Sequence, residues 1–595
     1  FLKKKHPIQP ALKNFISLVC WRKMETLFVI GTRDVLDFPK SKEESLKNTA
    51  HKILNGEICF FSSEWKNLGL DYDWITNPET NYKYDIRKHW SEINDFNPDN
   101  GDIKYVWEKS RFSHLLIIMR YDYNFNEDHS AFVFSEIESW IDANPINQGP
   151  NWKCSQEISL RLLNWMYVLT FYKNSKELTE ERWSKIQNTI YWSLHHVYKH
   201  INFSRIAVRN NHAITETLLL AVSELLFPFI PETKKWAKNG RQWLEEEVDY
   251  QVYEDGTFLQ FSMNYHRVLI QLFSFMINLT ELHKVPLSEN LKRKAYNSLN
   301  FLFQCQDEKT GILPNYGAND GALFFNFSNA VYRDYRPQLN TLHTTLTGVA
   351  LYENEHLFED KNWFGGYSVN KKFRPLEKKL GLLSFNDGGY YLIREKDSFS
   401  FLRAGNHFDR PSQADNLHLD LWIDGVNVLR DAGSFKYNTD EASINYFVGT
   451  ASHNTVTING RNQMLKGSRF IWYYWSQVQA VVINETETEF IIDAKVKVYQ
   501  YLEKGLIHQR QLIKDKRNHN WKVIDTIHSK NNFNSKQIWH TPKNVNLAFS
   551  SISKGVKVNE TYSESWYSSE YGHKELGTQI NMAFKNQIIT TIVQR

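Results

Sequence analysis

The strongest constraint in the chain is a change of hydrophobic period about two thirds of the way along it. From about residue 40 to 360, apolar residues recur at three- and four-residue spacing, as over 158–172, 183–200 and 269–282, the repeat of one helix face. Gly149-Pro150, Pro228, Pro231 and Pro286 interrupt this pattern every few tens of residues, as successive helical hairpins require. From about residue 383 the text shortens to strand-like runs at 389–394, 398–404, 417–423, 427–429, 455–458, 478–483 and 490–496. Asp387-Gly388-Gly389, Asp424-Gly425 and Asn459-Gly460 stand between such runs with hairpin-turn chemistry. Helices first and antiparallel sheets second make this an α+β multidomain chain. Gly365-Gly366, Lys371-Lys372 and Pro375 place the boundary between 365 and 382.

Composition narrows the function. With 595 residues, 42% hydrophobic and 23% charged, the chain can bury large cores. A net charge of +4 gives no generalised basic coat for nucleic acid. The aromatic share of 15% exceeds what cores usually need, and aromatic-lined clefts suit sugar rings. Cys20, Cys59, Cys154 and Cys305 are scattered, so neither a disulfide framework nor a zinc knuckle is expected. The longest apolar stretch, 218–230, contains Glu224 and Pro228 and reads as a buried helix, so no membrane insertion is expected. Lys3 to Lys5 are not followed by a signal-type apolar run, and localisation is left to follow from function.

Four constellations carry chemistry. Arg209-Asn210-Asn211-His212 is a helix start; the asparagines can cap it, and two amides beside an imidazole also suit a carboxylate. Between 254 and 267 stand Glu254, Gln260, Asn264, Tyr265, His266 and Arg267, dense enough to predict a polar cleft on a helical scaffold. The loop 309–321 offers Asn315, Tyr316, Asn319 and Asp320 as a second wall. In the β part, Gln413, Asp431 and His453 are either buried hydrogen-bonded polar groups or ligands for a structural divalent metal, zinc, manganese or calcium. No organic cofactor is expected.

These segments resemble the heparinase II/III-like polysaccharide lyases, through NNHAITE at 210–216, MNYHRV at 263–268, QADNLHLDLWIDG at 413–425, RDAG at 430–433 and SHNTVTING at 452–460. A looser likeness starts near DIRKHWSEIN and GPNWKCSQEISLRLLNW. The resemblance implies an incomplete α/α toroid over 1–370 and an antiparallel β-sandwich over 383–595, with the cleft between them. It also implies β-elimination at a uronic acid, in the periplasm or outside the cell. Asn211, with His212, would support the substrate carboxylate, and Tyr265 would match the family's catalytic tyrosine. His212, Glu254, Gln260, His266, Arg267, Asn315 and Tyr316 would meet substrate. Gln413, Asp431 and His453 would hold the metal, although glutamine is a weak zinc ligand. Pro411 stands where the family has its catalytic histidine, which leaves His407 as the nearest candidate and His418, inside the alternating run LHLDLW, as the fallback.

The expected partner is therefore an anionic uronate polymer, a glycosaminoglycan such as heparan sulfate first, alginate or a bacterial exopolysaccharide next. Lys3 to Lys5, 292–294 and 371–378 are basic clusters that could meet such a polymer or simply face solvent. Two other classes compete: a binding protein that keeps the toroid without catalysis, and a hydrolase using two carboxylates, Glu254 and Asp255.

Overall fold

A computed structural model describes residues 10–25, 27–95, 97–354, 359–365, 373–409, 411–468 and 470–594. Lys3 to Lys5 and the pair Lys371-Lys372 lie outside the described residues. The N-terminal part stacks helices in two layers. Ser155–Phe171, Asn211–Leu226 and Met263–Leu282 are buried along nearly their whole length. Glu180–Asn202, Thr233–Gln251 and Glu289–Cys305 each bury one stripe, the amphipathic pattern of an outer layer. Thr179, Asn210, Ser262 and Ser288 accept backbone N–H groups at four of these N-termini, and so fix where the helices start. At Gly240 the backbones of two helices nearly touch, since a Cβ there would lie 2.4 Å from the nitrogen of Ala221.

The strand ladders of the C-terminal part are antiparallel, with one isolated parallel bridge between Gly433 and Ser568 among the described residues. Five sequential strands, Gly381–Phe385, Tyr390–Arg394, Ser398–Arg403, Leu419–Ile423 and Val426–Leu429, form one sheet. Asp424 and Gly425 both adopt positive φ, 52° and 85°, the two-residue turn that Asp-Gly specifies. A seven-stranded sheet, centred on Ile507–Asp515 and Asn520–His528, faces a four-stranded one that includes Ser535–Thr541 and His573–Phe584. Burial alternates at every second residue of Ile507–Asp515, and its Leu512, with Trp521 and Trp539, belongs to a second core distinct from the helical one.

The loop 309–321 joins the two parts. Asn315 Nδ2 donates to the Ser568 carbonyl at 2.7 Å, Asn319 exchanges hydrogen bonds with Ser434, and Arg403 Nε donates to the Tyr316 hydroxyl at 3.0 Å. No helix among the described residues is long and apolar enough to cross a membrane.

Candidate active site

Tyr265 sits in the first turn of Met263–Leu282, where Ser262 caps its N–H. Its hydroxyl meets that of Tyr437, which the sandwich supplies. Asp320 acts on the same hydroxyl, accepts from Asn264 Nδ2 at 3.2 Å, and pairs with Lys104 at 2.9 Å. The Lys104 ammonium also lies 3.9 Å from the centroid of the Tyr437 ring. Burial, with Asp320 adding to it, holds the Tyr265 phenol well above its ordinary value. Burial would raise the Asp320 carboxyl too, but Lys104 and Arg111 outweigh it and hold that group low. Tyr265 is therefore a neutral phenol beside a charged carboxylate in the free protein.

Behind this pair lies an ion-pair network with no local signature in the sequence. Arg111 grips Glu157 through two bonds of 2.6 and 2.8 Å and Glu108 through one of 2.7 Å. Burial lifts Glu108 to about 7. His212 sits over the network with Nδ1 3.8 Å from Cys154 Sγ, and burial lowers its pKa to about 4. Asn210 caps the helix, which frees its neighbour: the Asn211 backbone N–H donates to Gln260 Oε1 at 2.9 Å, while its buried side-chain amide makes no hydrogen bond among the described residues. An amide so placed is free to meet a ligand.

From the sandwich side, the loop 404–409 brings His407 against the edge of Phe261. Both ring nitrogens are shielded from solvent and have no partner. Burial, then Arg403, lowers the imidazole to about 3, so it is neutral. The loop is anchored to the toroid, with Tyr250 donating to Asp409 at 2.6 Å and Phe408 against Tyr253. His418 is fully buried. Its Nδ1 accepts the Asn454 N–H at 3.0 Å and its Nε2 faces Asp420 at 3.5 Å. It is part of the core, as its strand pattern suggests.

The polar cluster at 254–267 does not form one wall, because neighbours on a helix point about 100° apart. His266 turns away from Tyr265 to bond Ser298 and stack on Phe301. Arg267 is buried, bonding the Tyr332 carbonyl and Asn264. Glu254, with its side chain 60% exposed, pairs with Arg293 and Lys294, and Asp255 is spent on Thr257 and the N–H groups of Asp387 and Gly388. Asn315 and Tyr316 serve the domain junction. Glu254, His266, Arg267, Asn315 and Tyr316 thus all have protein partners in the free chain, as do the two carboxylates a hydrolase would need. His212 feels the charges of Glu157, Lys104 and Asp320, and its neighbour Asn211 bonds Gln260.

The expected metal set is buried and short of partners. Gln413 Oε1, Asp431 Oδ2 and His453 Nε2 all lack a hydrogen bond. His453 Nδ1 donates to the Gly449 carbonyl at 2.8 Å, which leaves a lone pair on Nε2, 3.4 Å from Asp431 Oδ2. Burial pushes the Asp431 carboxyl well above its usual range. Three orphaned acceptors fit a cation chemically, though among the described residues no three His, Cys, Asp or Glu side chains are arranged to hold one, so the set depends on Gln413.

Comparison with known proteins decides the family. Residues 32–299 match the model of the heparinase II/III N-terminus, and residues 377–591 that of the heparinase II/III-like C-terminal region. The chain belongs to the heparinase II/III family. Curated relatives include a heparin-sulfate lyase of Bacteroides stercoris, 23% identical over 75% of this chain, and one of Bacteroides thetaiotaomicron, 25% identical over 55%. The match spans 64% and 47% of the length of those two relatives. Among solved structures, a heparinase III has a TM-score of 0.67 and heparan sulfate lyase HepC of Pedobacter heparinus, crystallised as a mutant, one of 0.61, each at 16% identity over 97% of this chain and 88% of theirs. These heparinase structures identify the fold as an α toroid followed by a β-sandwich.

Proposed function

We propose that this heparinase II/III family member is a polysaccharide lyase that cleaves a uronate-containing anionic polymer by β-elimination, a glycosaminoglycan such as heparan sulfate first and alginate or an exopolysaccharide next. The observation that carries the reading is the neutral Tyr265 phenol at the domain junction, beside charged Asp320 and near an Asn211 amide that lacks a protein partner. In the reaction the C5–H bond breaks, its electrons form C4=C5, and the C4–O bond leaves with its electron pair. Asn211, with His212, stabilises the charge that builds on the carboxylate. The Tyr265 hydroxyl protonates the departing oxygen. The neutral His407 imidazole, with no hydrogen-bond partner, accepts the C5 proton where the uronate's configuration presents it, and Tyr437 holds the Tyr265 hydroxyl in place.

Gln413, Asp431 and His453 would hold a divalent cation whose charge offsets their orphaned lone pairs and stiffens the sandwich near the cleft. A lyase acting on such polymers works in the periplasm or outside the cell, with no nucleic-acid partner. The test is a panel of purified uronate polymers assayed for the ultraviolet absorbance of the unsaturated product. Reducing ends without that absorbance would mean hydrolysis, and binding without either would mean a non-catalytic binder.

A further inference from the structure

We infer that Arg209 is a specificity residue that reads an anionic substituent, sulfate or carboxylate, on the polymer next to the cleaved uronate. The inference rests on the lyase reading above.

Two local irregularities converge on this residue. The helix Glu180–Asn202 runs into a π-helical turn, Phe203–Val208, a geometry frequent at functional sites. Arg209 then takes a left-handed conformation, φ 49°, which is unfavourable for an arginine and persists only where the surroundings impose it. Asn210 follows as the cap and Asn211 as the first helical residue. The guanidinium lies flat over Tyr250, 3.4 Å from the ring centroid, and the hydroxyl of that ring holds Asp409, two residues from His407. Arg209 therefore stands between the two chain segments that carry Asn211 and His407.

Its charge lies against the Tyr250 ring. Among the described residues no carboxylate lies within ion-pair distance of Arg209, and its Nε is buried without a hydrogen bond. Four residues earlier Arg205 pairs with both Glu246 and Glu247, so carboxylates are available on the neighbouring helix and are taken by the other arginine. A guanidinium flattened on an aromatic ring keeps its edge for a planar or tetrahedral oxyanion and binds it through paired N–H bonds.

The experiment uses the full chain with Arg209→Gln and Arg209→Lys, assayed on a sulfated uronate polymer and on the same polymer after desulfation. Arg209→Gln should raise KM about tenfold or more with kcat within about twofold, Arg209→Lys should recover part of the loss, and melting should stay near wild type. A KM effect confined to the sulfated polymer assigns a sulfate; one present on both assigns a carboxylate. Unchanged KM on both polymers overturns the inference, as does a loss in kcat accompanied by a lower melting temperature, the mark of packing on Tyr250 alone. If wild type cleaves neither polymer, the lyase reading fails instead. Equilibrium binding of the two polymers to wild type and Arg209→Gln then decides the inference, and equal affinity overturns it.

Discussion

The hydroxyls of Tyr265 and Tyr437 meet across the junction of the helical and β parts, although 172 residues separate them in the chain. Removing either hydroxyl tests whether the junction is the site of chemistry. Tyr265→Phe keeps the buried ring and should lower kcat by about a hundredfold or more with KM little changed. Tyr437→Phe should cost less, since it removes a positioning bond rather than the proton. Equal activity of wild type and Tyr265→Phe would take Tyr265 out of the mechanism.

Asn211→Ala leaves the helix start intact, because the cap belongs to Asn210. Loss of a transition-state donor of this kind is worth about 3–4 kcal/mol, so kcat should fall by more than KM rises. A change in KM alone would make Asn211 a ground-state binding residue. A lower melting temperature in Asn211→Ala would point to packing.

Which parts of this arrangement can be read from sequence follows from distance along the chain. Asn210 announces its helix because a cap acts within three residues, and Asp424-Gly425 announces its hairpin because the turn is two residues long. The second-residue alternation continues past 496, and most of the largest sheet is built there. By contrast Lys104 finds Asp320 over 216 residues, and Arg111 finds Glu157 over 46; a charge inside an apolar helix is the only trace such pairs leave. His266 illustrates the opposite error. Its adjacency to Tyr265 in sequence suggests a shared cleft, but the helical repeat rotates it into Ser298 and Phe301.

Gly240 offers a test of the toroid's packing with two opposed effects. Alanine is favoured over glycine inside a helix by about 1 kcal/mol. At Gly240, however, the added Cβ would lie 2.4 and 2.6 Å from backbone atoms of Ala221 and Leu220, which cannot rotate away, and overpacking of this kind costs about 1–3 kcal/mol. The clash should win, and Gly240→Ala should melt below wild type in calorimetry. A higher melting temperature would show that the two helices can separate.

For the orphaned set at 413, 431 and 453, the expected outcome is bound metal by elemental analysis of the purified protein and a lower melting temperature after chelation. Gln413→Leu should remove the response to chelator. Protein free of metal and indifferent to chelator would mean that Asp431, its carboxyl raised well above the usual range by burial, is simply protonated toward His453.

His407 and His418 make the sharpest comparison, because both imidazoles are lowered to about 3 by burial, yet they differ in partners. His418 Nδ1 accepts the Asn454 N–H, so His418→Asn should lower melting, with any loss of activity following from that. Neither His407 nitrogen has a partner, so His407→Asn should melt near wild type and lose about a hundredfold or more in kcat if the lone pair takes the C5 proton. The sign of the pH effect on stability follows from linkage. The unfolded imidazole binds a proton near 6.5, and the folded one only near 3. Between those values the unfolded state carries the extra proton, and wild-type stability falls as pH drops from above 6.5 toward 3. His407→Asn removes that term, so its melting temperature should gain on wild type as pH is lowered from 7 to 5. Full activity in His407→Asn on both glucuronate and iduronate polymers would move the base elsewhere, and loss on only one epimer would tie His407 to the face of the ring from which that C5 proton departs.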